Sequence, residues 1–239
     1  MNRGKQEIRL MVWDRLVKEG VALPPFPVKG RIPNFKGADT AAERLFDSSI
    51  YKRARVVKVN PDSPQRCIRD RVLGDGKVLV VPTPRLRRGF LMLEPDMIRG
   101  EGVELRLAIK NFMRLGVEVA PEDLPEIDLL VFGSVAVTED GWRLGKGEGY
   151  SEIEYAILSE FRRVDGNVPI VTTVHDLQLV DFIPREAYDV PLNYIFTNTR
   201  VIEVRANNKR PQGILWDSLD EGKIKEIPLL RDMRGSLRR

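Results

Sequence analysis

The chain has little of what several chemistries require. Its 239 residues include one cysteine, Cys67, and one histidine, His175, so an internal disulfide is excluded and a Cys/His zinc site has too few ligands. This usage points to a reducing compartment, the cytoplasm. No stretch approaches the roughly 20 apolar residues of a membrane span, and the opening Met-Asn-Arg-Gly-Lys-Gln-Glu lacks the apolar centre of a signal peptide. A soluble protein without a membrane partner is therefore expected. Aromatic residues make up 7% of the chain, which argues against a nucleic-acid surface of stacked rings on a basic face. Neither sign of charge dominates, since 39 Lys and Arg stand against 35 Asp and Glu, a formal +4. That balance favours anionic ligands without requiring nucleic acid.

With 42% apolar residues the chain can bury one sizeable core, so a single domain over residues 1–239 is expected. Its first 50 residues read as helical and residues 231–239 as a frayed basic tail. Ile8, Met11, Val12 and Leu16 recur at helical spacing over residues 5–19, and Gly20 follows as a stop. Pro24, Pro25, Pro27 and Pro33 then impose an ordered loop or extended arm. Thr40 and Glu43 have capping-box spacing and predict a second helix. Beyond them the signals alternate. Strands are predicted over residues 54–59, 77–81, 128–132 with 135–137, 168–174, 193–196 and 201–204. Helices are predicted over 64–73, 101–115 and 151–161. Such alternation implies an α/β fold in three layers, a mostly parallel sheet with helices on both faces. In folds of this kind ligands sit at the carboxyl ends of strands.

The most informative stretch is Arg143-Leu-Gly-Lys-Gly-Glu-Gly-Tyr-Ser-Glu152. Its alternate glycines, Gly145, Gly147 and Gly149, fit neither a P-loop nor a dinucleotide fingerprint. Taken alone, they are a flexible turn between strand and helix or a cradle for phosphate. The buried strand before them, the cations Arg143 and Lys146 among them and the helix start after them favour phosphate. Glu152 is either a magnesium ligand or an acid favoured by the dipole of the first helical turn. Glu154, two residues on, is expected at the solvated surface. Arg85, Arg88 and Phe90, with Gly89 among them, are expected to meet a second substrate, the arginines clamping its anionic group; the alternative is that the arginines remain solvated. His175 beside Asp176 is an oriented acid/base pair or a hydrogen-bonded residue at a strand end. Cys67 is expected as a small core residue.

Residues 128–152, and Gly141-Trp-Arg143-Leu-Gly-Lys-Gly-Glu-Gly-Tyr150 above all, resemble the signature of the 5-formyltetrahydrofolate cyclo-ligases, also called methenyltetrahydrofolate synthetases. That signature reads roughly D-L-V-x-V-P-G-x-A-F-D-x-x-G-x-R-L-G-R-G-G-G-Y-Y-D. Lys5-Gln-Glu-Ile-Arg9 is similar to the family's opening K-x-x-[LI]-R, and Ile183-Pro-Arg-Glu-Ala-Tyr-Asp189 to its I-P-x-E-x-H-D. The resemblance implies a fold related to ribose-phosphate isomerases and CoA-transferases. It also implies Mg-ATP chemistry on a reduced folate, converting 5-formyltetrahydrofolate to 5,10-methenyltetrahydrofolate with ADP and phosphate. Lys5, Arg9, Arg143 and Lys146 would then hold ATP phosphates, and Gly145, Gly147 and Gly149 would offer backbone amides. Tyr150 would stand beside the γ-phosphate and Glu152 would take the place of a magnesium-associated aspartate. The family's Y-Y-D is here Tyr150-Ser151-Glu152, its P-G is Gly133-Ser134 and its H-D is Tyr188-Asp189. Asn60-Pro-Asp-Ser-Pro-Gln-Arg66 and Pro82-Thr-Pro-Arg-Leu-Arg-Arg-Gly-Phe90 resemble instead the divergent methenyltetrahydrofolate-synthetase-domain branch. The reading from another class is a nucleotide- or phosphate-binding module without ligase chemistry, regulatory or RNA-associated.

Overall fold

In the computed structural model, residues 4–96 and 114–237 are described. The opening helix α1 spans Lys5–Lys18 and buries Ile8, Val12, Trp13 and Leu16, the stripe its periodicity predicts. A proline-rich arm follows and forms a short antiparallel pair, β1 (Ala22–Leu23) with β2 (Asn34–Phe35). Helix α2 (Ala38–Asp47) starts two residues before the Thr40 cap expected from sequence, after Gly37 at φ 88°. A Cβ at Gly37 would lie 2.9 Å from Cβ of Asn198. Close approach to another loop, which local pattern cannot reveal, therefore sets this start. A short helix α3 (Ser49–Arg53) leads into the sheet.

The eight-stranded sheet has the order β12-β11-β10-β7-β3-β4-β5-β6. Its centre is parallel: β3 (Val56–Val59) pairs with β4 (Val78–Pro82) and β7 (Leu129–Phe132), and β10 (Ile170–Val174) with β7 and β11 (Tyr194–Thr197). The outer strands β5 (Phe90–Leu93), β6 (Val117–Val119) and β12 (Val201–Glu203) run antiparallel. From β3 the chain moves to β4 on one side and later to β7 on the other, so the order reverses at the β3/β7 boundary. Ligands bind at such a switch point in open α/β sheets.

Alternation along the strands divides the core. Val57, Val59, Leu79 and Val131 face a cluster with Leu45, Phe46 and Ile68, whereas Val80, Leu130, Phe132 and Ile170 face one with Ile157, Leu158 and Leu230. Helices thus cover both faces, as expected. The helix predicted over 64–73 is a 3-10 turn at Ser63–Gln65 followed by α4 (Arg66–Gly74). The helix predicted over 101–115 lies, apart from Arg114 and Leu115, outside the described residues.

Two expectations need correction. Residues 135–137 do not extend the main sheet: β8 (Ala136–Val137) pairs antiparallel with β9 (Arg143–Leu144) in a separate ribbon. Residues 231–237, expected to fray, instead continue the helix α7 (Pro228–Leu237), which follows α6 (Glu221–Glu226). Ile227 and Leu230 anchor both helices in the cluster that holds Ile153, Ile157 and Leu158 of α5 (Tyr150–Glu160), and Ile224 is also buried. Among the described residues no helix is long and apolar enough to cross a membrane.

Candidate functional site

The glycine stretch leaves the β8/β9 ribbon at Leu144 and ends at Gly149, the residue that precedes α5. Gly147 has φ 107° and Gly149 φ 73°, values that glycine adopts without strain. No side chain caps the first amides of α5, leaving its positive dipole end open to an anion. Helix α1 packs through Ile8, Val12 and Leu16 on Val135, Ala136 and Leu144 of the ribbon, and this brings its basic edge to the loop. Arg9 Nε donates to the Gly145 carbonyl at 2.8 Å. Lys5 Nζ donates to both carboxylate oxygens of Asp189, at 2.8 and 2.6 Å.

The cations suggested by the sequence thus gather around one loop, each with a carboxylate or carbonyl partner. Arg143 is sealed in, with a side chain 1% exposed; it donates to the Gly133 carbonyl at 2.9 Å and to Glu152, and stacks over Phe132 at 5.0 Å. Lys146 is half-exposed and pairs with Glu148 at 2.9 Å. These pairs differ in strength. An exposed pair contributes about 0–1 kcal/mol and exchanges readily, whereas breaking a buried one by removing a partner costs about 3–5 kcal/mol. Lys146 can turn to an incoming anion, while Arg143 is held in place.

Beside the loop lies a polar cleft of about 410 Å³, lined by Asn60, Asp62, Thr83, Lys146, Tyr150 and Glu152 among others. It opens at the carboxyl ends of β3 and β4, and Asp62 on its wall lies against Gly133 just past β7, next to the switch point. Behind its wall is a group that the sequence reading missed. Lys58 is fully buried among the valines of β3 and bonds to Glu154, and Glu154 also accepts from Asn60 Nδ2 at 3.1 Å. Glu154 is therefore not the solvated residue expected; it is 3% exposed. Its place at i+4 from Tyr150 turns it inward, and a lysine in an otherwise apolar strand was the available signal. Burial pushes the Lys58 ammonium down and the Glu154 carboxyl up, each opposed by the attraction of its partner. Burial also raises the Asp62 carboxyl, against the pull of Lys146, Arg69, Lys58 and Arg143.

The other sequence candidates separate. Arg85 lines the polar cleft and sits 3.8 Å from Glu226. Arg88 pairs with Glu118 at 2.6 Å and borders a different hollow. Phe90 is fully buried in the core, because strand alternation turns it inward, and it lines neither hollow. Tyr150 lines the polar cleft, donates to Glu226 at 2.9 Å and carries Lys223 Nζ 3.9 Å from its ring centre. His175 Nδ1 accepts from the Leu177 amide at 3.1 Å, while the Asp176 carboxylate accepts from Thr199 at 2.8 Å; the arrangement is that of a hydrogen-bonded strand end. Cys67 is partly exposed on α4.

The donor set suits phosphate, with loop amides, a helix start and an exchangeable lysine together. For a divalent ion, Asp62 and Glu152 offer hard oxygen atoms at the cleft. Among the described residues no group of three or more His, Cys, Asp or Glu side chains could hold a metal unaided. Magnesium needs few protein carboxylates when phosphate oxygens complete its octahedron.

An open, mostly parallel sheet with helices on both faces places the chain among the doubly wound α/β proteins, folds whose ligands sit at the switch point. More closely, residues 2–198 match the 5-formyltetrahydrofolate cyclo-ligase family, and the chain belongs to it. The bovine methenyltetrahydrofolate synthase domain-containing protein is 42% identical over 235 residues, covering 96% of this chain and 62% of its own length. The human protein of that description is 40% identical, with coverage of 96% and 61%. The chain thus spans under two thirds of these relatives. A 5-formyltetrahydrofolate cyclo-ligase of Mycolicibacterium smegmatis is 28% identical over 81 residues, 34% of this chain. Among solved structures, the Aquifex aeolicus 5,10-methenyltetrahydrofolate synthetase shares the fold, with TM-score 0.56 and 19% identity over 87% of this chain and 96% of its own. The fold expected from alternation is therefore the observed one.

Proposed function

We propose that this chain is an ATP- and magnesium-dependent ligase of the cyclo-ligase type, with a reduced folate as its second substrate. The observation that carries the reading is the glycine loop, open at a helix start and bordered by an exchangeable cation, on the rim of a polar cleft at the switch point. Bound Mg-ATP would supply the γ-phosphoryl group to the formyl oxygen of 5-formyltetrahydrofolate, yielding 5,10-methenyltetrahydrofolate, ADP and phosphate. The chain's own part is positional and electrostatic, as in phosphoryl transfer generally. The amides of Gly145, Gly147 and Gly149 and the start of α5 receive phosphate oxygens. Lys146 leaves Glu148 to join them. Arg143, fixed by Gly133 and Glu152, holds the loop and aims Glu152 at the cleft, where it can share the metal with phosphate. Lys5 and Arg9 add positive charge from α1, and Tyr150 borders the reacting groups. Arg85, from the opposite rim, meets the second substrate.

The test is ADP release by the purified chain supplied with Mg-ATP. Release that requires 5-formyltetrahydrofolate is expected. Nucleotide binding with no folate-dependent ADP would replace the ligase by the second reading, a nucleotide- or phosphate-binding module of regulatory or RNA-associated kind. The observation that favours that module is the neutralisation already built into the loop, where Glu148, Glu152 and Asp189 pair with Lys146, Arg143 and Lys5. Under it, the ligand binds without ATP turnover and Lys146→Ala abolishes that binding; salt-sensitive RNA binding that survives Lys146→Ala would point instead to a separate basic surface.

A further inference from the structure

The glycine loop borders two cavities. Glu148, Gly149 and Glu152 line the polar cleft on one side and also an apolar cavity of about 230 Å³ on the other. The second cavity has walls from Ile153, Ala156, Ile214, Leu215, Leu219 and Leu230. Four of these six lie beyond residue 198, where the match to the family ends. The wall they form is held in place: Glu226 accepts from Tyr150, Lys223 lies over the Tyr150 ring, and Ile224, Ile227 and Leu230 are buried.

We infer that this apolar cavity receives the base of the nucleotide whose phosphates lie on the glycine loop, so that the C-terminal segment completes the nucleotide site. The inference rests on the triphosphate reading above and extends it to residues outside the family match. Three observations select a base over the second substrate. The cavity adjoins the loop itself, so one nucleotide can reach both without crossing the cleft. It is smaller than the roughly 300–1,000 Å³ that encloses a whole drug-sized ligand, and suits a single flat ring system. Its walls are mostly apolar, although Glu148, Glu152, Asp220 and Lys223 also border it, whereas the cleft opposite presents Asp62 and Asn60, which can hydrogen-bond a polar heterocycle. The two substrates would then approach the loop from opposite sides.

The test compares Mg-ATP with Mg-tripolyphosphate, and 5-formyltetrahydrofolate as a third probe, by titration calorimetry on the full chain. Ala156→Phe fills the cavity from α5, and Leu219→Gln makes its far wall polar without adding bulk. Each should weaken ATP by about tenfold or more, as altered fit in an apolar pocket does, and leave tripolyphosphate within about twofold. Thermal unfolding confirms that each variant is folded, and the agreement of two unlike substitutions guards against failure of either. Equal loss of ATP and tripolyphosphate in both folded variants, or unchanged ATP affinity, overturns the inference, while binding of both by the unaltered chain still supports the triphosphate reading. If the unaltered chain binds neither of the two, the triphosphate reading itself falls. Weakened binding of 5-formyltetrahydrofolate with unchanged ATP would assign the cavity to the other substrate and also overturn the inference.

Discussion

Lys58 illustrates how much one residue can depend on another distant in sequence. It is fully buried and its ammonium bonds to Glu154 on α5. Glu154→Ala would leave a buried cation without its carboxylate, and a loss of about 3–5 kcal/mol is expected in denaturant unfolding. Joint replacement, Lys58→Met with Glu154→Leu, should recover most of that loss, because an apolar pair needs no desolvation of charge. If the single and joint variants prove equally unstable, the pair is not the source. Cys67 gives a second prediction. Its thiol is pushed up to about 12 by burial and by the neighbouring Asp39 carboxylate. Only the thiolate reacts, so alkylation should be slow at pH 8 and its rate should keep rising through pH 10. A rate that levels off near pH 9 would contradict that environment. The sequence made Arg143, Lys146 and Glu152 visible because a motif groups them. It hid Lys58 and Glu154 because their partnership spans two elements.

At the scale of elements, two glycines near the site are required for different reasons. Gly149 turns the chain into α5 at φ 73° with open space around it, so Gly149→Ala is strained by conformation alone, at about 1–2 kcal/mol. Gly133 has an ordinary φ, but a Cβ there would lie 2.8 Å from Asp62 Oδ2 and 3.0 Å from Ile32. Gly133→Ala must move Asp62 or the arm that carries Ile32, at about 1–3 kcal/mol. It should therefore disturb ligand binding in the polar cleft more than its effect on thermal unfolding suggests. Normal binding in a folded Gly133→Ala chain would show that Asp62 is not positioned by this contact. The start of α5 was legible, since glycine followed by an amphipathic run marks a helix entry. The start of α2 was misread at Thr40, because the approach of Gly37 to Asn198 outweighs a local cap. Phe90 was misassigned to the site for a similar reason: its strand turns it into the core, whereas Arg85, five residues earlier, reaches the cleft.

For the whole molecule, alternating strand and helix signals sufficed to foresee a sheet with helices on both faces. They did not reveal the antiparallel edges, or that residues 231–237 stay helical in the returning chain end, because pairing partners and packing against α5 are set by residues far apart in sequence. The return matters for stability. A chain ending at residue 198 would lose Ile214, Ile224, Ile227 and Leu230, all buried, and each contributes about 1.5–3 kcal/mol by burial. Such a chain should aggregate or unfold below the full chain's midpoint in thermal scans. A truncated chain as stable as the whole would show that the segment is an accessory layer.

We propose that the loop and cleft together perform ATP-dependent ring closure. The most direct measurement follows 5,10-methenyltetrahydrofolate by its absorbance when the purified chain is mixed with 5-formyltetrahydrofolate and Mg-ATP, beside Lys146→Ala under the same conditions. Methenyl product that requires ATP is expected, with the variant's ATP affinity lowered about tenfold to a hundredfold, as for the loss of one charge-assisted contact. No methenyl product at saturating ATP, from a chain shown to bind the nucleotide, would contradict it.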